Sequence, residues 1–368
     1  MKKDMHLHAT FALALAAKFP VNEASLIARS ALEVDKAFYR SPCNMLNGQT
    51  VDCSAVVDRV ETIAGISSIQ SYQQWSVWAP FHFIPALQGD SVELRMICGP
   101  SGPVFDGLLE WANQTLPEET EQEQRRRALV RLGVACHVIC DSYSHSGFSG
   151  IFSKLNKVVP GSISYPDSVD DNIVQACLSA DSQDSVHGLY GLAAMAGELG
   201  SILPVGHVLA AGSRPDIPFL VWQATFKKNR PEGSTVKFDN PSRFLNACEA
   251  IFKIFAEIGP NSPSSKTWED LCPEVKTRLG LNAEEKCRSK SWDKLANEWN
   301  GACNDMFEDD GELNRRIGRV SDALDSDTHW EIHAFNEAAI SWREKFKQLL
   351  EKHDSAAYST GLHAKGFC

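Results

Sequence analysis

Apolar residues recur at helical spacing along most of this chain. Between residues 5 and 38 the pattern predicts two helices, broken at Phe19-Pro20-Val21-Asn22. The second carries Ala24, Ile27, Ala28, Ala31 and Leu32 on one stripe. After a polar, turn-rich stretch over 39–53, Val56, Val57, Val60, Ile63 and Ile66 predict a helix over 54–70. The segment 71–105, with Trp75, Trp78, Phe81 and Phe83 among prolines and glycines, reads as a loop packed on the core. The strongest helix starts near Leu116-Pro117-Glu118-Glu119, where proline and acids suit a first turn. It runs through the charged stretch 118–128 into the small and apolar run 129–140 and ends near Gly147. Residues 157–180 look irregular, 183–200 give a small-residue helix, 203–218 a Pro/Gly-rich loop and 226–242 a polar connection. From 242, Phe244, Leu245, Ala247, Ile251, Phe252 and Phe255 predict a helix. Three more amphipathic helices follow over 264–353, then a loose tail. Strand signals are few. The expected fold class is all-α, a multi-helix bundle with long inserted loops of the kind that often carry function. We expect a helical core domain over 1–258 and a helical subdomain over 259–368 that covers a cleft or contacts a protein partner.

Charge narrows the function classes. The formal net charge is -11, from 36 basic and 47 acidic residues. This excludes a general nucleic-acid coat, whose affinity comes from neutralising phosphates. A nuclease stays open, because bound divalent ions restore positive potential locally. No apolar run approaches the roughly 20 residues that cross a bilayer. Met1-Lys2-Lys3 is followed by His6, His8, Thr10 and Lys18, so the start of the chain reads as a first helix rather than a signal peptide. The expectation is a cytoplasmic protein, with export by a signal-peptide-independent machine as the alternative. The 11 cysteines have no regular spacing and read as reduced thiols.

The most informative segment is Gly133-Val-Ala-Cys-His137-Val-Ile-Cys-Asp141-Ser-Tyr-Ser-His145-Ser-Gly-Phe-Ser-Gly150. His137, Asp141 and His145 stand at i, i+4 and i+8 and share one helix face. Two imidazoles and a carboxylate among Val, Ala, Cys and Ile cost several kcal/mol unless paired or metal-bound. Zinc takes these ligand types, and the two oxygens of Asp141 can bridge two ions. The alternative is a hydrogen-bonded His-Asp-His ladder with a purely structural role. Further ligand-type residues are Asp4, His6, His8, Asp35, His82 between Phe81 and Phe83, His207 and Asp216. Each alone is weak; together they match the number that a bridged multi-zinc site needs. Ser149 lacks the Gly-x-Ser-x-Gly elbow of a serine hydrolase and reads instead as part of a helix end.

This pattern resembles the zinc-dependent phospholipase C and single-strand nuclease superfamily, whose signature is a helix bearing His-x-x-x-Asp followed by another His. It is also similar to uncharacterised bacterial proteins sharing His-x-x-x-Asp-x-x-x-His-x-Gly-Phe-Ser-Gly. The resemblance spans roughly residues 4–225 and is specific around 133–150. It implies an all-helical fold of phospholipase C/nuclease type and a cofactor of two or three zinc ions. By this likeness, Asp35, His82, His137 and Asp141 hold the first zinc. Asp141 bridges to a second, bound by the N-terminal segment through His6 or His8. His145 begins the remaining site, completed by His207 with Asp216. The family uses a free N-terminal amine as a ligand, a place for which Asp4 is the substitute here. His333 and Glu337 have one-turn spacing but read as a polar helix face.

The implied activity is phosphoester hydrolysis by a metal-activated water, with Asp35 and Asp141 as the catalytic candidates. Phospholipid, a nucleic-acid strand or a small phosphodiester are the candidate substrates. The alternatives are a metallohydrolase acting on amides or esters, and a non-catalytic protein braced by metal.

Overall fold

The computed structural model describes residues 1–37, 42–44, 50–52, 74–116, 121–166, 170–180, 205–230, 233–260, 266–300 and 326–364. The expected helices over 54–70 and 183–200 lie outside these residues, as does His187. The chain opens with a π-helix, Asp4–Ala9, that continues directly into α1, Thr10–Ala16. Helix α2, Val21–Glu33, follows the Phe19-Pro20 break. A short antiparallel pair comes next, β1 (Pro42–Asn44) and β2 (Thr50–Asp52). Helical turns at Gln74–Trp78 and Ala79–Phe81 interrupt the aromatic segment read as loop. Helix α3, Pro103–Ala112, has proline in its first turn after Gly102, which sits at φ 88°.

Helix α4, Gln122–Ser144, is the axis of the molecule. Helices α2 and α3 pack against it, with later helices closing its other sides. Every described residue from Leu129 to Ser142 on it is buried apart from Arg131. A helix buried on all sides carries no amphipathic stripe, and the run Gly133 to Cys140 carries none. Gly133 marks the closest approach. A Cβ there would stand 2.3 Å from the Ile27 carbonyl oxygen and 2.6 Å from Ser30 Cβ.

Helix α5, Asp171–Ala180, occupies part of the stretch read as irregular. The expected polar connection over 226–242 is instead an antiparallel hairpin, β3 (Val221–Arg230) with β4 (Gly233–Asp239). Trp222, Ala224, Phe226, Val236 and Phe238 alternate inward along it. Trp222 stacks on Phe238 with ring centroids 4.1 Å apart, and the Arg230 guanidinium lies 3.5 Å above Phe226. These side chains form a second hydrophobic core with Phe83, Cys98, Phe148 and Ile217.

Asp239 caps helix α6, Asn240–Ile258, by accepting from the Ser242 amide. Helix α7, Trp268–Leu279, opens on a Thr267/Asp270 capping box. Helices α8 (Glu285–Asn300) and α9 (Ser326–His353) follow. The tail read as loose forms α10, Ser355–His363, capped by Asp354. Leu271, Trp292, Leu295, Trp342 and Phe346 from this last third join one buried cluster with Phe11, Ile27, Val134 and Phe255. The fold is therefore mainly helical, with the C-terminal helices seated in the principal core. Helix α9 also pins the aromatic segment: Trp342 Nε1 donates to the Pro80 carbonyl at 2.6 Å, and Arg343 Nε to that of Ser76 at 2.7 Å. Among the described residues no helix is long and apolar enough to cross a membrane.

Candidate metal centre

The site lies where the two cores meet, and α4 runs through it. Its i, i+4, i+8 spacing presents His137, Asp141 and the C-capping His145 along one line, all buried. Asp141 divides its oxygens. Oδ2 faces His82 Nδ1 at 2.9 Å and His137 Nε2 at 3.1 Å, whereas Oδ1 faces His6 Nε2 at 3.3 Å and the Met1 α-amino group at 2.6 Å. Asp35, just beyond α2, places its carboxylate 3.7 Å from both His6 Nε2 and His137 Nε2. The His6 ring stacks on His137 at 3.8 Å.

The other half of the cluster comes from the hairpin side. His145 Nε2 lies 2.8 Å from Asp216 Oδ1, and His207 Nε2 lies 3.6 Å from Asp216 Oδ2. Asp216 closes a one-turn helix, Arg214–Asp216, and its Oδ1 also faces the Met1 amine at 3.2 Å. Gly206, at φ 59°, precedes His207 where a Cβ would stand 2.9 Å from Phe83 Cζ. Only glycine fits that backbone against that ring.

Three imidazoles are oriented alike. His137 Nδ1 donates to the Ala31 carbonyl at 2.9 Å, His145 Nδ1 to that of His82 at 2.8 Å, and His207 Nδ1 to that of Gly212 at 2.8 Å. A carbonyl only accepts, so each Nδ1 carries the proton and each Nε2 turns its other face to the cluster. This outer hydrogen bond is the usual companion of a metal-binding histidine. Burial holds His137 at about 4, helped by neighbouring His6, and burial likewise holds His207 at about 4. Both are neutral near pH 7, with a lone pair on Nε2.

The carboxylates stay ionised. Burial pushes Asp141 up, but His145 and the Met1 ammonium override it and hold it well below the ordinary range. Burial of Asp216 is overridden in the same way by that ammonium and His207. The ammonium, despite burial, is raised to about 11 by Asp141 and Asp216. Two buried carboxylates (Asp141 and Asp216) and the partly exposed Asp35 thus surround one ammonium, leaving an excess of negative charge that a cation would compensate. His6 adds a second sign of fit, because neither of its buried ring nitrogens has a hydrogen-bond partner. Three groups bring ligand atoms within 4.8 Å of one another: His6, Asp35 and His137; His82, His137 and Asp141; His145, His207 and Asp216. The residues present fit divalent ions with mixed nitrogen and oxygen ligands.

Of the residues singled out from the sequence, His6, Asp35, His82, His137, Asp141, His145, His207 and Asp216 converge here. Asp4 and His8 do not. Asp4 pairs with Arg288 Nε at 2.6 Å and His8 Nδ1 with Asp293 at 2.6 Å, both on the opposite face of the π-helix. The Met1 ammonium, rather than Asp4, stands beside Asp141 and Asp216. His333 is buried on α9 and belongs to none of the three ligand groups, and Glu337 pairs with Arg127. Ser149 exchanges backbone hydrogen bonds with the Asn156 side chain and shapes the turn after α4. The orienting carbonyls of Ala31 and Gly212 left no trace in the sequence, since any residue supplies one.

No curated protein and no solved structure matches this chain. A family model described as a family of unknown function, DUF6765, matches residues 1–364, and the chain belongs to that family.

Proposed function

We propose that this protein is a zinc-dependent hydrolase of phosphoesters, acting on a phospholipid or another phosphodiester. The observation that carries the metal reading is the shared posture of His137, His145 and His207, each with Nδ1–H spent on a backbone carbonyl and Nε2 directed at a carboxylate. Asp141 turns Oδ1 to His6 and Oδ2 to His137, so its two oxygens would serve different ions. Bound zinc would supply a hydroxide near neutral pH and positive charge for a pentavalent phosphorus transition state. The likeness of His137-x-x-x-Asp141-x-x-x-His145 to the phospholipase C and nuclease signature is what favours phosphoesters over amides or acyl esters.

The rim of the cluster supports catalysis over bracing. Asp35 is about a third exposed, at 34%, and His82 is 14% exposed, whereas His6 and His137 are at 0%. Substrate and water therefore approach from the Asp35 side. There the Asp35 carboxylate is positioned to orient the attacking water and accept its proton. A purely structural site would be closed by protein on every side.

The test is zinc content per chain, with hydrolysis of a phosphodiester and of an acyl ester followed with and without chelator. Asp35→Asn should retain most of the metal and lose phosphodiester turnover by about 10²–10⁴-fold. Metal uptake with turnover confined to the acyl ester would favour the other hydrolase class. Metal uptake with no turnover of either, and unfolding on chelation, would favour a brace.

A further inference from the structure

We propose that helix α8 is a positioning element for the metal centre, holding the far face of the N-terminal π-helix through Arg288 and Asp293 so that His6 meets Asp35, His137 and Asp141. The inference rests on the metal-centre reading above.

His6 differs from the other buried histidines of the cluster. Backbone carbonyls fix the rings of His137, His145 and His207, but neither nitrogen of His6 has such a bond. Stacking on His137 sets the plane of the ring and leaves its depth and height to the backbone that carries it. That backbone is a π-helix, a rare conformation that is frequent at functional sites when it occurs. Residues two apart point to nearly opposite sides of such a helix, so Asp4 and His8 turn away from the cluster when His6 turns into it.

Both outward residues are held by α8, about 285 positions further along the chain. Asp4 Oδ2 accepts from Arg288 Nε at 2.6 Å, with both side chains at 0% exposure. Asp293 meets His8 Nδ1 at 2.6 Å. Arg288 is itself anchored within α8's approach, donating through Nη1 to the Ala283 carbonyl at 2.6 Å. The pair is poorly built for stability alone. Asp4 Oδ1 and Arg288 Nη2 are buried without hydrogen-bond partners, and desolvation consumes much of the attraction in a buried ion pair. Fixing register is the best-attested use of such pairs. Here the register fixed is that of His6.

The test titrates zinc into the chelator-stripped full chain, in competition with a chromophoric chelator, for wild type, Asp293→Ala, Arg288→Met and Arg288→Lys. Asp293→Ala should weaken one ion of the set by about 10–100-fold and leave the others unchanged, as losses in the layer behind a ligand do. Arg288→Met should lose that same ion, and Arg288→Lys should recover part of it. Should Arg288→Met fail to fold, Asp293→Ala, altering a side chain that is 35% exposed, decides alone. Wild type binding zinc, with folded variants binding it identically or weakening every ion equally, overturns the latch and spares the metal centre. Wild type binding no zinc overturns the metal centre, and the latch with it.

Discussion

The two halves of the site reach similar chemistry by different constructions. In the helical half, His137 and Asp141 project from α4, Asp35 follows α2, and His6 rides the π-helix that opens the chain. In the hairpin half, His207 and Asp216 sit on short turns leaning on Phe83, Phe148 and the strands of β3 and β4. The first half is held by helix-on-helix packing so close that enlarging Gly133 would force α2 and α4 apart. The second is held by aromatic stacking on a two-stranded ribbon, which is marginal by itself and depends on what it packs against. The contrast teaches that regular helices can place ligands by spacing alone, whereas loops need a separate core to hold them. Asp141, which faces His6, His82 and His137 directly and lies 3.7 Å from His145 Nδ1 and beside the Met1 amine, joins the two.

The sharpest way to break this comparison is to remove the shared carboxylate. Asp141→Ala should lose at least one zinc by elemental analysis and destabilise the fold by about 3–5 kcal/mol, since it strips a buried ammonium of its nearer partner. Unchanged metal content would mean that the halves do not share an ion. Next, Trp222→Ala should cost about 3–5 kcal/mol in denaturant unfolding. It should weaken the ion at His145, His207 and Asp216 while the helical half keeps its own. Equal weakening of both would erase the distinction.

Protons offer a third comparison. In metal-stripped protein, His137 and His207 titrate at about 4 rather than near 6.5. Between those values the unfolded chain binds more protons than the folded one, so stability is present above about pH 6.5 and is lost as pH falls towards 4. The loss should be on the order of 3 kcal/mol for each fully buried ring. Unfolding midpoints at pH 7.5 and 5 measure it, and His137→Gln or His207→Gln should flatten the slope separately. Gly133→Ala comes fourth, at about 1–3 kcal/mol for overpacking, with weaker zinc binding in the helical half alone. The smallest effect serves as a control. Asp354, paired with Arg95 at 2.5 Å, caps α10 far from both halves. Asp354→Ala should lower stability by about 1–2 kcal/mol without changing metal affinity.

The helical half was readable because i, i+4 spacing is a geometric statement that survives any packing arrangement. Their spacing alone therefore sets His137, Asp141 and His145 on one line. The choice between His6 and His8 could not be made, because it depends on a π-helical turn that 3.6-residue periodicity does not describe. Asp4 was misleading for a similar reason: its partner, Arg288, lies 284 positions away and has no local signature. The hairpin was legible in principle. Trp222, Ala224 and Phe226 alternate with polar residues, but Lys227, Lys228 and Arg230 obscured the pattern by following it directly. His207 and Asp216 stood out by residue type, while their meeting depended on a core that spacing rules do not reach.

The carbonyls that aim His137, His145 and His207 belong to Ala31, His82 and Gly212, and they are peptide oxygens rather than side chains. Substitution at Ala31 leaves such an oxygen in place so long as the backbone keeps its path, whereas Gly212, at φ 61°, sits in a conformation that favours glycine. Relatives of this chain can thus change the side chain at Ala31 within what its buried packing admits and keep the same imidazole orientation. Comparing side chains across the family would then see the ligands and overlook half of what points them.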